Sequence, residues 1–174
     1  MKTLFKIIIT FFLVSKVFAA ELKMDAYGKS KTKVYTLSKD RIFLTYFSES
    51  VWTNNMGMRG KGICEGILEI IKGDTSSNIM CHATDEEGDE LFFQFKASSD
   101  TTDLSTSGTQ KFKVVAGTGR YKELIGFNGI SATASILPKD LGDGNFEDFY
   151  SWAGKGEMPD ATFERIKNYK KPEE

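Results

Sequence analysis

The chain has one histidine in 174 residues, which excludes most histidine-based metal sites and proton relays. It has three prolines and two cysteines. With so few prolines beside 16 glycines, neither a disordered nor a collagen-like chain is indicated. No Gly-x-Ser-x-Gly nucleophile elbow occurs. Long helical periodicity is absent after the first 20 or so residues. There is no basic excess either. Setting aside Lys2, Lys6 and Lys16 of the leader described next, 20 of the 23 basic residues remain against 24 acids. A strongly basic nucleic-acid binder is therefore excluded as the default reading.

What is present begins with an export signal. Lys2 and Lys6 precede an uncharged, mostly apolar run over 7–15 that stops at Lys16. A membrane span needs about 20 residues, so the run is too short for one. Val17-Phe18-Ala19 places small residues at −3 and −1, predicting cleavage after Ala19, with Ala20 as the alternative. No cysteine follows, so the lipoprotein pattern is missing. The expected map is a signal peptide at 1–19, one domain at 20–158 and a tail or short helix at 159–174. Such a product is expected in a periplasm or outside the cell, with a single core of about 155 residues.

Short β-type runs separated by turn residues fill the domain. They fall at 32–38, 41–53, 61–71, 78–84, 90–97, 110–116, 129–137 and 147–155, with 22–26 as a short edge strand. Eight strands in simple succession predict an all-β, antiparallel, up-and-down barrel of lipocalin-like shape, which removes exposed edges. Alternation supports half-buried strands: Leu91, Phe93 and Phe95 oppose Gln94 and Lys96, and Phe112, Val114 and Ala116 oppose Lys111 and Lys113. Ile130, Ala132, Ala134 and Ile136 oppose Ser131, Thr133 and Ser135, so the small alanines are expected inside, leaving room for aromatics or a ligand. Residues 98–109 read as a polar loop over one barrel mouth. After Pro159, Asp160 is a candidate cap for a short helix carrying Phe163, Ile166 and Tyr169, and 170–174 reads as a frayed tail.

Cys64 and Cys81 lie on adjacent expected strands, eight or nine residues from a turn at Lys72-Gly73. Opposed across a hairpin in an exported chain, they predict a disulfide contributing about 3 kcal/mol. A zinc site with His82 fails on ligand count and on strand alternation. His82 itself reads as a hydrogen-bonded strand residue, with a general base as the alternative. Asp85, Glu87 and Asp89, and the group Asp140, Asp143, Asn145, Glu147 and Asp148, lack the full calcium-loop pattern and read as solvated turns. Gly117-Thr118-Gly119-Arg120-Tyr121-Lys122 fits neither the dinucleotide fingerprint nor the Walker motif, and reads as a tight turn. No metal or cofactor is expected.

The run from Lys113 to Gly126, KVVAGTGRYKELIG, resembles the strand–Gly-Thr-Gly–aromatic–basic turn of the allene oxide cyclase and dirigent barrels. The order of Trp52, the Gly57 turn, two strand cysteines and an acidic turn is also similar to small secreted bacterial proteins with that barrel. The resemblance spans roughly 30–155. It implies an eight-stranded barrel, often a homo-oligomer, around an apolar cavity. It carries no catalytic residue across, because only the turn matches.

Three functions follow as expectations. The first is binding of a small apolar molecule inside the barrel, with Tyr46, Phe93, Phe95, Phe112, Tyr150 and Trp152 as pocket candidates. The second is a cyclase- or isomerase-type enzyme using cavity shape and one or two polar groups. The third is a packed interaction barrel that exposes Phe92, Phe127 or Phe149. A membrane barrel is disfavoured by the charged, non-aromatic C-terminus and weak aromatic girdles.

Overall fold

Turn chemistry sets where several strands meet. In the hairpin turn at 72–73, Lys72 (φ 54°) and Gly73 (φ 91°) both adopt positive φ, the geometry of a two-residue hairpin whose twist matches its strands. The structure, a computed structural model, describes residues 19–96 and 107–172. The expected leader, over 1–18, and most of the expected polar loop, over 97–106, lie outside the described residues.

The strands are β1 (Ala19–Ser38), β2 (Arg41–Asn54), β3 (Arg59–Ile71), β4 (Asp74–Asp85), β5 (Glu90–Lys96), β6 (Ser107–Gly117), β7 (Asn128–Ser135), β8 (Lys139–Gly142) and β9 (Asn145–Pro159). Helix α1 (Asp160–Lys167) follows. Neighbours run β1-β2-β3-β4-β5-β6-β7-β9, and β9 pairs back onto β1, from Ala19↔Pro159 to Lys33↔Asn145. The result is a closed eight-stranded antiparallel barrel. β8 is an extra short strand on β9, continuing the line of β7. Among the described residues no helix is long and apolar enough to cross a membrane.

Four sequence expectations need correction. The expected strands 22–26 and 32–38 are one strand, because β1 has a partner on each side along most of its length. Residues 107–109, expected in the loop, belong to β6. Val115 is a bulge, since Phe92 pairs with Ala116 and Phe93 with Val114, so Ala116 is exposed rather than sharing the face of Val114. β7 is turned over: Ser131 is 4% exposed while Ile130 is 45% exposed, so the alanines face out and the hydroxyls face in. Strand pairing decides this, because Ser131 sits between Gln110 and Gly154, both on inward-facing positions.

The barrel has two unlike ends. At one end the β2–β3 turn, the β4–β5 turn, the 3₁₀ segment Gly119–Leu124 and α1 converge. Met56, Met58, Leu91, Tyr121, Leu124 and Ile166 are buried there. Ile166 docks α1, and Pro159 rather than Asp160 occupies the N-cap position, with Asp160 in the first turn where its charge suits the helix N-terminus. Beneath this plug, Phe93, Phe95, Phe112 and Trp152 form an aromatic cluster with ring centres 5.5–6.2 Å apart. Gly129 and Gly154 make room for it: a side chain at either would strike the Phe112 or Trp152 ring.

Candidate functional site

From the aromatic cluster towards the opposite end, the interior is hollow. The cavity holds about 500 Å³, within the range that takes a drug-sized molecule. Its walls follow from period-two alternation, since even-numbered residues of β1, β2 and β3 face in. Those strands supply Met24, Ala26, Val34, Leu44, Trp52 and Leu68, while β4 and β5 supply Ile79, Ala83, Phe93 and Phe95. The wall is therefore mainly apolar. Small residues create the space: Gly62, Ala26, Ala83 and Ser50 line it where larger side chains would fill it.

The disulfide is part of that wall. Cys64 and Cys81 are directly opposed across β3 and β4, with Cα atoms 4.0 Å apart, and both line the cavity. The bond crosses the barrel wall on its inner side, where Cys81 is 1% exposed.

Five of the six pocket candidates, Tyr46, Phe93, Phe95, Tyr150 and Trp152, line this cavity. Phe112 does not. It lies below, packed on Trp152 at 5.9 Å and on Phe127 at 6.2 Å, because Gly129 opposite lets its ring drop towards the plug. Trp152 and Ser135 each carry a buried polar atom, Nε1 and Oγ, that no group among the described residues satisfies.

Polar groups gather in the upper half. The Tyr150 hydroxyl donates to Ser48 Oγ at 3.3 Å, and Tyr46 lines the same part of the cavity. Burial, the neighbouring Tyr150 and the charge of Asp148 hold the Tyr46 phenol well above its ordinary pKa, so it stays neutral. Asp148 lies on the inward face of β9, one step from Tyr150, and pairs in register with the buried Ser30. Its Oδ1 accepts the Leu137 N–H at 3.2 Å. Pro138, Phe146 and Glu147 continue the lining to the solvent, where Phe146 is 39% exposed. In sequence, Asp148 appears only as one more acid in a crowded turn. The available signal was its alternation with Tyr150 and Trp152. Ser48 and Met24 offered no comparable signal.

The Gly117-Thr118-Gly119-Arg120-Tyr121 motif lies at the other end and builds the plug. β6 ends at Gly117, and Gly119 takes positive φ (48°) directly against the Asp89 carboxylate, where a side chain would collide. The Arg120 backbone N–H donates to Asp89 Oδ2 at 3.1 Å. The Arg120 guanidinium, 6% exposed, lies 3.4 Å from Asp85 and 3.5 Å from Asp89, and also pairs with Glu87. Burial alone would lower its pKa, but these carboxylates outweigh it and raise it. The Tyr121 hydroxyl donates to Asp85 Oδ2 at 3.0 Å, and burial with that charge pushes its pKa up. Asp85 and Asp89 are thus buried, not in a solvated turn as the sequence suggests, because their partner stands some 31–35 residues away. Tyr169 lies under the guanidinium at 5.6 Å, and Lys171 Nζ donates to Glu87 O at 3.0 Å, so residues up to Lys171 pack on the plug.

Of the remaining candidates, His82 borders the cavity wall, whereas Phe127 and Phe149 do not line it. His82 stacks on Phe92 with ring centres 4.5 Å apart and meets Glu90 at 3.0 Å, on the outer face. Phe127 packs against the core and is not an exposed patch, because it covers Gly156. Phe149 is 46% exposed, with Lys29 over its ring at 4.8 Å. Among the described residues no group of three potential ligands could hold a metal ion. In comparisons with known proteins, no family model and no curated protein matches the chain.

Proposed function

We propose that the protein is a secreted or periplasmic carrier or sensor barrel that binds a small apolar molecule in its interior. The observation that carries this reading is the 500 Å³ cavity, walled by Met24, Trp52, Phe93, Phe95 and Leu68 and provided with a few convergent hydroxyls. A fully packed interaction barrel would have no reason to keep such a space, since voids cost stability. Trp152 Nε1 and Ser135 Oγ, buried without a partner among the described residues, favour the same reading, since buried polar groups normally find partners. Export is supported by the leader pattern and by a disulfide, which persists in oxidising compartments. Lys29, Lys31 and Lys33 on the outer face of β1, and Glu65 and Glu69 on β3, favour a barrel surrounded by water rather than lipid. Kinship with the allene oxide cyclase and dirigent barrels remains part of the proposal, supported by the Gly117–Tyr121 turn and the closed eight-stranded topology.

Native mass spectrometry of the protein purified from its own cells, followed by denaturing extraction, tests the reading. A reproducible small apolar molecule, released on unfolding, is the expected result. An empty protein that also refuses apolar probes at saturating concentration would contradict it.

A further inference from the structure

The cavity's charge is one-sided. Its lining contains two carboxylates, Glu147 and Asp148, and no lysine or arginine among the described residues. Glu147 reaches Lys31 at 3.8 Å on the outer side. Asp148 has no ion pair among the described residues; its one hydrogen bond is from the Leu137 N–H. The nearby lysines of β1 are directed elsewhere: Lys29 lies over Phe149, Lys31 meets Glu147, and Lys33 donates to the Asp143 carbonyl. His82 borders the wall, but its ring is engaged outside with Phe92 and Glu90. A half-buried carboxylate without a cation is destabilising, and an incoming positive group would compensate it. The rings around it suit such a group. Tyr46 and Tyr150 line the same upper chamber and Phe146 its mouth, so an entering cation would meet aromatic side chains of the kind that make cation–π contacts.

We propose that the cavity selects a cationic amphiphile: an apolar body seated against Trp52, Phe93 and Leu68, with an amine or quaternary ammonium group held by Asp148 beside Tyr46 and Tyr150. This rests on the ligand-binding reading above and narrows it. A carboxylate-headed molecule such as a fatty acid would meet like charge at the mouth and no cation within, so it is disfavoured.

Three ligands of equal chain length test the proposal: decyltrimethylammonium, decan-1-ol and decanoate, titrated calorimetrically below micelle formation at pH 7 and low salt. The ammonium is expected to bind about tenfold tighter than the alcohol, and decanoate weakest. Raising the salt should weaken the ammonium and spare the alcohol. Asp148→Asn keeps an acceptor for the Leu137 N–H and should bring the ammonium to the level of the alcohol. Asp148→Glu should retain the preference. Equal binding of alcohol and ammonium, or a preference for decanoate, overturns the charge selection and leaves the binding reading standing. A preference that survives in Asp148→Asn overturns the role of Asp148. Failure of all three ligands to bind overturns the binding reading itself, and this inference with it.

Discussion

The two ends of the barrel solve opposite problems with the same strands. At the plugged end, Arg120, Asp85, Asp89 and Tyr121 form a buried, mutually bonded cluster, and Leu124, Met58 and Ile166 fill the space around it. Towards the open end, hydroxylated residues such as Ser30, Thr32, Thr133 and Ser135 alternate inward beside Val34 and Leu44, and the interior stays hollow as far as Pro138 and Phe146. Pairing along β9, β1, β2 and β3 runs through both halves, so that part of the frame does not depend on filling the upper half. Among the described residues, inward-folded loops fill the plugged half, and the proposed recognition falls to the hollow half.

The largest expected effect comes from breaking the ionic plug. Arg120→Ala leaves Asp85 and Asp89 buried without their cation and should cost about 3–5 kcal/mol, read by urea denaturation. A loss below about 1 kcal/mol would mean that the cluster is solvated and the two ends are not so different. Next comes a matched pair of leucines. Leu124→Ala, in the dry plug, should cost about 2–5 kcal/mol, whereas Leu44→Ala, whose side chain already faces open space, should cost about 1 kcal/mol. Equal losses would contradict the contrast between a filled and a hollow half.

Alkaline pH probes the plug through Tyr121. Its phenol is held protonated in the fold, so its contribution is intact below the unfolded tyrosine pKa of about 10 and falls as pH rises above it. The loss should approach about 1.4 kcal/mol per pH unit for such a tyrosine. Tyr121→Phe should start from a lower stability, having lost its bond to Asp85, but fall less steeply above pH 10 in denaturation curves. Parallel curves would rule out this origin. The smallest effect lies at the other end, in the β3–β4 turn. Lys72 holds positive φ without being glycine, so Lys72→Asn should stabilise by about 0.5 kcal/mol and raise the melting temperature slightly.

Much of the frame could be read from residues alone, because its determinants are local. Counting from Lys72-Gly73 sets Cys64 opposite Cys81, and the disulfide confirms that register. Period-two runs gave the strand count around the closed barrel. What escaped depends on distant partners. Ser131, Thr133 and Ser135 look like an outer face until β6 and β9 set their direction, and a hollow interior tolerates hydroxyls where a packed one would not. The bulge at Val115 has no marker in its own segment. Asp85 and Asp89 look solvated because Arg120 arrives from another hairpin. Asp148 is hidden among neighbouring acids for the same reason, since only the closure of β9 onto β1 turns it inward.

The most direct test of the hollow half uses the protein's own fluorescence. The chain has two tryptophans, and both Trp52 and Trp152 line the cavity. Titration with decan-1-ol should therefore change tryptophan emission saturably, with one molecule bound per chain, and Ala83→Leu, which enlarges a small residue of the cavity wall, should weaken that binding at least about tenfold. An emission that drifts linearly with no saturation, unchanged by Ala83→Leu, would contradict the account: the interior would then be closed to ligands.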